Sequence, residues 1–208
     1  MEDVLDLYAE PYDPQRPVIC FDEHPYQLQS DVWEPIPMES GKPKREDYEY
    51  ERNGTCNVFI FFEPHTGWCR VIVRATRKRL DFAECMKMLV DEWFPQAKQI
   101  RIVMDQLNTH TPGSFYEAFE PSEAKRLTDK LKFHHTPVHG SWLNMAEIEL
   151  SILSRHHLRQ RIPTMELLKE ISSSWALKRT EQKAMVDWRF STKDARDKFR
   201  KFYHNNNP

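Results

Sequence analysis

Three short apolar runs constrain this chain most. They are Val18-Ile19-Cys20-Phe21, Thr55 to Phe62 (T-C-N-V-F-I-F-F) and Ile100-Arg101-Ile102-Val103-Met104. Runs of four to eight residues rich in Val, Ile and Phe, bounded by turn formers, read as buried strands. Pro17 introduces the first. Pro64-His65-Thr66-Gly67 turns the second back through Trp68 to Val73, which predicts a hairpin. Helical stripes separate and follow these strands. Asp81 reads as an N-cap, with Phe82, Cys85, Met86, Leu89 and Trp93 on one face before Pro95. Ser114 opens another helix, Leu131 to Thr136 reads as a short strand, and Leu143 to Arg159 as a helix. Two more helices follow, one from Pro163 through Ile171 and a basic one from Thr192 to Tyr203. This order predicts an α/β fold, a mixed sheet flanked by helices with extra helices at the C-terminal end.

The 208 residues fit one domain over 1–208, with 163–208 as the added helices. Residues 24–54 read as a long inserted loop, because Pro25, Pro35, Pro37, Gly41 and Pro43 interrupt them. A loop of that length in a compact domain is usually functional or mobile.

Two of the strands run into an aspartate, Asp22 after V-I-C-F and Asp105 after I-R-I-V-M. Sites in open α/β sheets gather beyond the carboxyl ends of strands. If these strands are neighbours, the two carboxylates converge, and a divalent cation with oxygen ligands relieves their repulsion. A third acid comes from S-W-L-N-M-A-E-I-E-L at 141–150, where Glu147 and Glu149 are both candidates. At about 100° per residue they point about 200° apart, so one helix face cannot present both. Helix geometry separates them without choosing.

Net charge is -2, but it is unevenly spread. Residues 1–50 carry 4 Lys or Arg against 13 Asp or Glu, residues 51–150 carry 13 of each, and residues 151–208 carry 13 against 6. A polyanion is therefore expected to meet the C-terminal third. No apolar run reaches the ~18 residues of a membrane span, and the acidic start lacks a signal-peptide pattern. Cys20, Cys56, Cys69 and Cys85 form no C-x-x-C pair and read as buried reduced thiols, in keeping with a cytoplasmic protein. No cysteine stands at zinc spacing from a histidine.

F-D-E-H-P at 21–25, V-M-D-Q-L-N-T-H at 103–110 and H-G-S-W-L-N-M-A-E at 139–147 resemble the motifs of DDE transposases of the mariner superfamily, in particular the bacterial insertion-sequence branch. The likeness runs from about residue 17 to 200, with 82 residues between the two aspartates and 41 between Asp105 and Glu147. Gln106 stands where the family often has asparagine.

The resemblance implies an RNase H-like catalytic domain with Asp22, Asp105 and Glu147 as catalytic residues and metal ligands; the L-N-x-x-E pattern selects Glu147. It implies two Mg2+ ions per site, with Mn2+ as a substitute, and phosphodiester hydrolysis and transesterification on double-stranded DNA, both transposon ends and a TA target. Asn108, His110 and Glu23 are expected just behind the ligands, His110 near Asp105 orienting metal-bound water or phosphate. Lys42, Lys44, Arg45, Trp142, Arg155, Arg159 and Arg161 are candidate DNA contacts. The N-terminal helix-turn-helix region expected of such enzymes is absent from the sequence, so the resemblance leaves end binding to a separate domain or chain, and pairing to a homodimer. Two other readings stay open: another RNase H-like nuclease, and a truncated or domesticated derivative that binds DNA or a partner without catalysis.

Overall fold

The apolar runs become the middle of a five-stranded sheet. The computed structural model describes residues 1–45 and 47–201. Strands β1 (Val18–Asp31), β2 (Tyr50–Glu63), β3 (Trp68–Arg74), β4 (Ile100–Met104) and β5 (Leu131–His135) lie in the order β3-β2-β1-β4-β5. Strand β2 is antiparallel to both neighbours, and β4 is parallel to β1 and β5, as the mixed reading requires.

Alternation within each run sorts the core into two layers. Val18 and Cys20 of β1, with Val58, Ile60 and Phe62 of β2, join buried residues of α1 (Glu2–Ala9), α5 (Ala146–His156), α6 (Met165–Glu181) and α7 (Thr192–Lys198). Ile19 and Phe21, with Phe59 and Phe61, face α2 (Arg79–Met88) and the π-turn Leu89–Trp93, α3 (Gly113–Ala118) and α4 (Pro121–Lys130). Both faces of the central strands are dry, which is why they read as unbroken apolar runs. All four cysteines are free and buried. Burial pushes the thiols of Cys20 and Cys85 up to about 12.

The structure corrects several boundaries. Strand β1 does not stop at Asp22 but runs to Asp31, and β2 begins at Tyr50, so the expected loop of 24–54 shrinks to 32–49. Pairing of β1 with β4 ends at Cys20, while pairing with β2 continues from Cys20↔Phe62 to Asp31↔Tyr50. The outer part of these two strands is thus a two-stranded arm, on whose free edge Pro25 can lack an N–H at small cost. The arm is braced by the segment after α5, through Gln29 N–H to the Ile162 carbonyl at 3.0 Å and Asn53 Nδ2 to the Pro163 carbonyl at 3.1 Å. Asp81 sits one turn inside α2, where its side chain caps the backbone N–H of Lys78. The helix expected over 192–203 covers Thr192–Lys198; residues 202 and 203 lie outside the described residues. Among the described residues no helix is long and apolar enough to cross a membrane.

Candidate active site

Cys20 and Val103 are register partners in the parallel pair β1–β4. Asp22 and Asp105 each stand two residues farther on, so the backbone delivers them side by side at one end of the sheet. Glu147 lies in the first turn of α5, which packs on β1 and β2. Asp22 feels both of the others. Burial raises its pKa, the Glu23 N–H bonded to Oδ1 at 2.8 Å opposes this, and the charges of Asp105, Glu147 and Glu23 push it further, to about 7. Three carboxylates from three separate elements therefore share one electrostatic field.

The alternative third acid is committed elsewhere. Glu149 is fully buried on the opposite side of α5, and Arg179 of α6 grips both its oxygens, Nε at 2.8 Å and Nη2 at 2.6 Å.

His110 stands behind Asp105. Its side chain is fully buried, with Nδ1 2.9 Å from Asp105 Oδ1 and Nε2 3.6 Å from Glu23 Oε2. The rings of Phe82 and Phe21 hold the imidazole, one stacked and one edge-on. Burial favours neutral imidazole, but the carboxylates of Asp105 and Glu23 outweigh it and raise the pKa to about 9. The short contact to Asp105 is misaligned as a hydrogen bond, so Asp105 Oδ1 stays buried without a hydrogen-bond partner. Glu23 also meets Arg77 at 3.4 Å.

The donor set is all oxygen, three acids from three elements drawn toward one place. Those features suit a hard divalent cation. Among the described residues, no group of three His, Cys, Asp or Glu side chains is already drawn tightly enough to hold a metal ion.

The expected DNA contacts scatter. Lys42, Lys44 and Arg45 are exposed on the 32–49 loop, Lys42 paired with Glu39 at 3.1 Å. Arg155 bonds Ser151 within α5, and Arg159 is exposed just beyond it. Arg161 is engaged instead as a brace of the arm, with Asp31 at 2.6 Å, the Asp47 and Glu49 carbonyls, and the Tyr50 ring beneath it. Asn108 is exposed and makes no side-chain hydrogen bond among the described residues. Trp142 is 41% exposed and lines a groove of about 540 Å³ with Trp188, Phe190 and Phe199.

One basic feature escaped the sequence reading. Arg77, Lys78 and Arg79 line a cleft of about 530 Å³ with Thr109 of the Asp105 loop and with Glu117. Arg77 also reaches Glu23, the neighbour of Asp22, so this cleft borders the carboxylates. The signal was present as three consecutive cations. It was hidden because residues 51–150 balance overall.

Comparison with known proteins places these features in context. The sequence model of the family described as "DDE superfamily endonuclease" matches residues 17–169, a span that contains all three acids. No curated protein matches the chain. Among solved structures, the chain is similar to one of the Mos1 mariner paired-end complex with Mn, at TM-score 0.54 and 12% identity, covering 86% of this chain and 55% of that one. It is also similar to Mos1 transposase in a paired-end complex with the left transposon end, at TM-score 0.52 and 11% identity, covering 80% and 51%. The chain thus spans about half the length of the Mos1 chains it matches, and at these identities the likeness establishes the shared RNase H-like fold.

Proposed function

The chain belongs to the DDE superfamily of endonucleases, and from that premise we propose that it is a transposase catalytic domain, a divalent-metal-dependent DNA endonuclease and strand transferase. The observation that carries this reading is the convergence of three carboxylates, Asp22 and Asp105 set side by side by the Cys20–Val103 register and Glu147 brought in by α5 packing on β1 and β2. Asp22, Asp105 and Glu147 would hold the metal, Mg2+ or Mn2+ and two ions in all. When bound, such ions neutralise charge on the phosphate and activate the attacking oxygen. The chain's own residues position the rest. His110 anchors Asp105 from behind, and Glu23 ties His110 to Arg77. Double-stranded DNA is the substrate, as transposon end and as target, with end recognition supplied by a separate domain or chain and two copies pairing the ends.

The direct test uses the wild-type chain on supercoiled plasmid, with a labelled duplex carrying a free 3′-hydroxyl. Nicking and joining are expected with Mg2+ or Mn2+ and are expected to stop with EDTA. Nicking that persists in EDTA, or its absence with both cations, overturns the reading.

The basic cleft supplies a second expectation. Each phosphate neutralised by a cation adds about 0.9 to the slope of log affinity against log salt. Replacing Arg77, Lys78 and Arg79 together by Ala should weaken duplex binding at least about tenfold and flatten that slope by about 1–3. An unchanged slope would exclude the cleft as a phosphate contact.

A further inference from the structure

We infer that Asn144 is the positioning residue that fixes Glu147 against Asp22; this rests on the carboxylate-site reading above. Asn144 is only 2% exposed, and its amide makes two hydrogen bonds. Nδ2 donates to the Phe21 carbonyl at 2.8 Å, and Oδ1 accepts from the Ala146 N–H at 3.2 Å. A carbonyl can only accept and a backbone N–H can only donate, so just one orientation of the amide satisfies both. Phe21 immediately precedes Asp22, and Ala146 immediately precedes Glu147. One side chain therefore joins β1 to α5 within a residue of each carboxylate.

The backbone of Asn144 adds to the clamp. Its carbonyl accepts from the Glu147 N–H at 3.1 Å, and its own N–H donates to the Ser141 carbonyl at 2.7 Å. The residue thus behaves as the cap of α5, one position ahead of Met145. A cap alone would need only the bond to Ala146. The bond to Phe21 is additional, and it lies where β1 has lost its β4 partner beyond Cys20. From the other side, the Tyr8 hydroxyl of α1 donates to the Leu143 carbonyl at 2.8 Å. Two carboxylates brought to one site repel unless a cation lies between them, so something other than the acids must hold β1 and α5 together. Asn144 does this directly.

The test separates the cap from the clamp. In Asn144→Ser the hydroxyl can still accept from Ala146 but is too short to reach Phe21; Asn144→Ala loses both bonds. Mn2+ binding to the full chain is followed by electron paramagnetic resonance, beside nicking at saturating Mn2+ and duplex affinity. Asp22→Ala serves as the ligand-loss control. Leu127→Ala, a buried change in α4 on the far face of the sheet, serves as a destabilised control with an untouched site. Removing a group that orients a metal ligand typically costs 10–100-fold in affinity or activity. Asn144→Ser is expected to weaken Mn2+ binding by that factor and to slow nicking similarly, with duplex affinity unchanged, while Leu127→Ala lowers the melting temperature and binds Mn2+ like wild type. Wild-type Mn2+ binding and turnover in Asn144→Ser overturn the inference, as does an equal loss of Mn2+ affinity in Leu127→Ala. Should Asn144→Ala fail to fold, Asn144→Ser decides alone. If wild type binds no Mn2+, or Asp22→Ala binds it equally well, the carboxylate site itself falls and the inference with it.

Discussion

Asp22→Asn should yield a protein that is inactive and, without metal, more stable than its parent. Both effects have one origin. The carboxyl of Asp22 titrates at about 7 in the folded chain, against an ordinary value of 3.8. Below about pH 4 it is protonated folded and unfolded, and contributes nothing to the difference. Between about pH 4 and 7 only the unfolded chain ionises it, so stability falls as pH rises; above about 7 the loss is constant. A shift of this size corresponds to roughly 4 kcal/mol. Asparagine removes that cost and keeps the acceptor for the Glu23 N–H. Thermal melts in EDTA at pH 8 should therefore favour Asp22→Asn, and the advantage should vanish near pH 4. Activity should move the other way. A metal-held charge contributes several kcal/mol to the transition state, so nicking should drop at least about a thousandfold. Asp105→Asn and Glu147→Gln should lose activity to the same degree. An active Asp22→Asn, or one that melts lower than the parent in EDTA, would sink the assignment.

Arg179→Met should cost stability rather than chemistry. It strands the Glu149 carboxylate, fully buried and otherwise gripped at 2.6 and 2.8 Å. Breaking a buried ion pair from one side costs about 3–5 kcal/mol, whereas replacing both partners by apolar groups is often neutral. For a chain of this size, that single change should lower the melting temperature by roughly 10 °C. The double variant Glu149→Leu with Arg179→Met should recover most of it. Nicking per folded molecule should survive in both, since Glu149 faces away from the three acids. A fall in activity that tracked Glu149 while Glu147→Gln stayed active would reverse the roles of the two glutamates.

The contrast between those glutamates marks how far the sequence could be read. Local helix geometry separates Glu147 from Glu149, but the reason Glu149 is spoken for is Arg179, 30 residues away on another helix. No local pattern reports that contact. Asp22 and Asp105 were legible because apolar runs announce strands and the acids follow them, and the parallel register of β1 and β4 then brings them together. The ends of β1 and β2 were not legible. In the arm, H-P-Y-Q-L-Q-S-D pairs with residues 58 back to 50, of which the outer stretch Y-E-R-N-G is exposed, so polar residues and a proline mimic a loop. Helix α1 did carry a signal, Val4, Leu5, Leu7 and Tyr8 among acids, and all four are buried. His110 was expected near Asp105, orienting metal-bound water or phosphate; it lies behind that acid with Nδ1 2.9 Å from Oδ1. Asn108 lies exposed on the same loop.

The arm has a further consequence. Asp22 and the root of the 32–49 loop sit on one uninterrupted strand, which advances about 3.3 Å per residue, close to the ~3.4 Å between stacked base pairs. From Asp22 to Asp31 this amounts to a ruler of about 30 Å at full extension, paired with β2 on both sides of a register shift between Gln27 and Gln29 and pinned by residues 158–163. A duplex lying along it and gripped at the loop would present its scissile phosphate no more than about nine base pairs from the grip. Lengthening or shortening the arm by two residues, which keeps the faces in phase, would then shift the cut in whole base-pair steps.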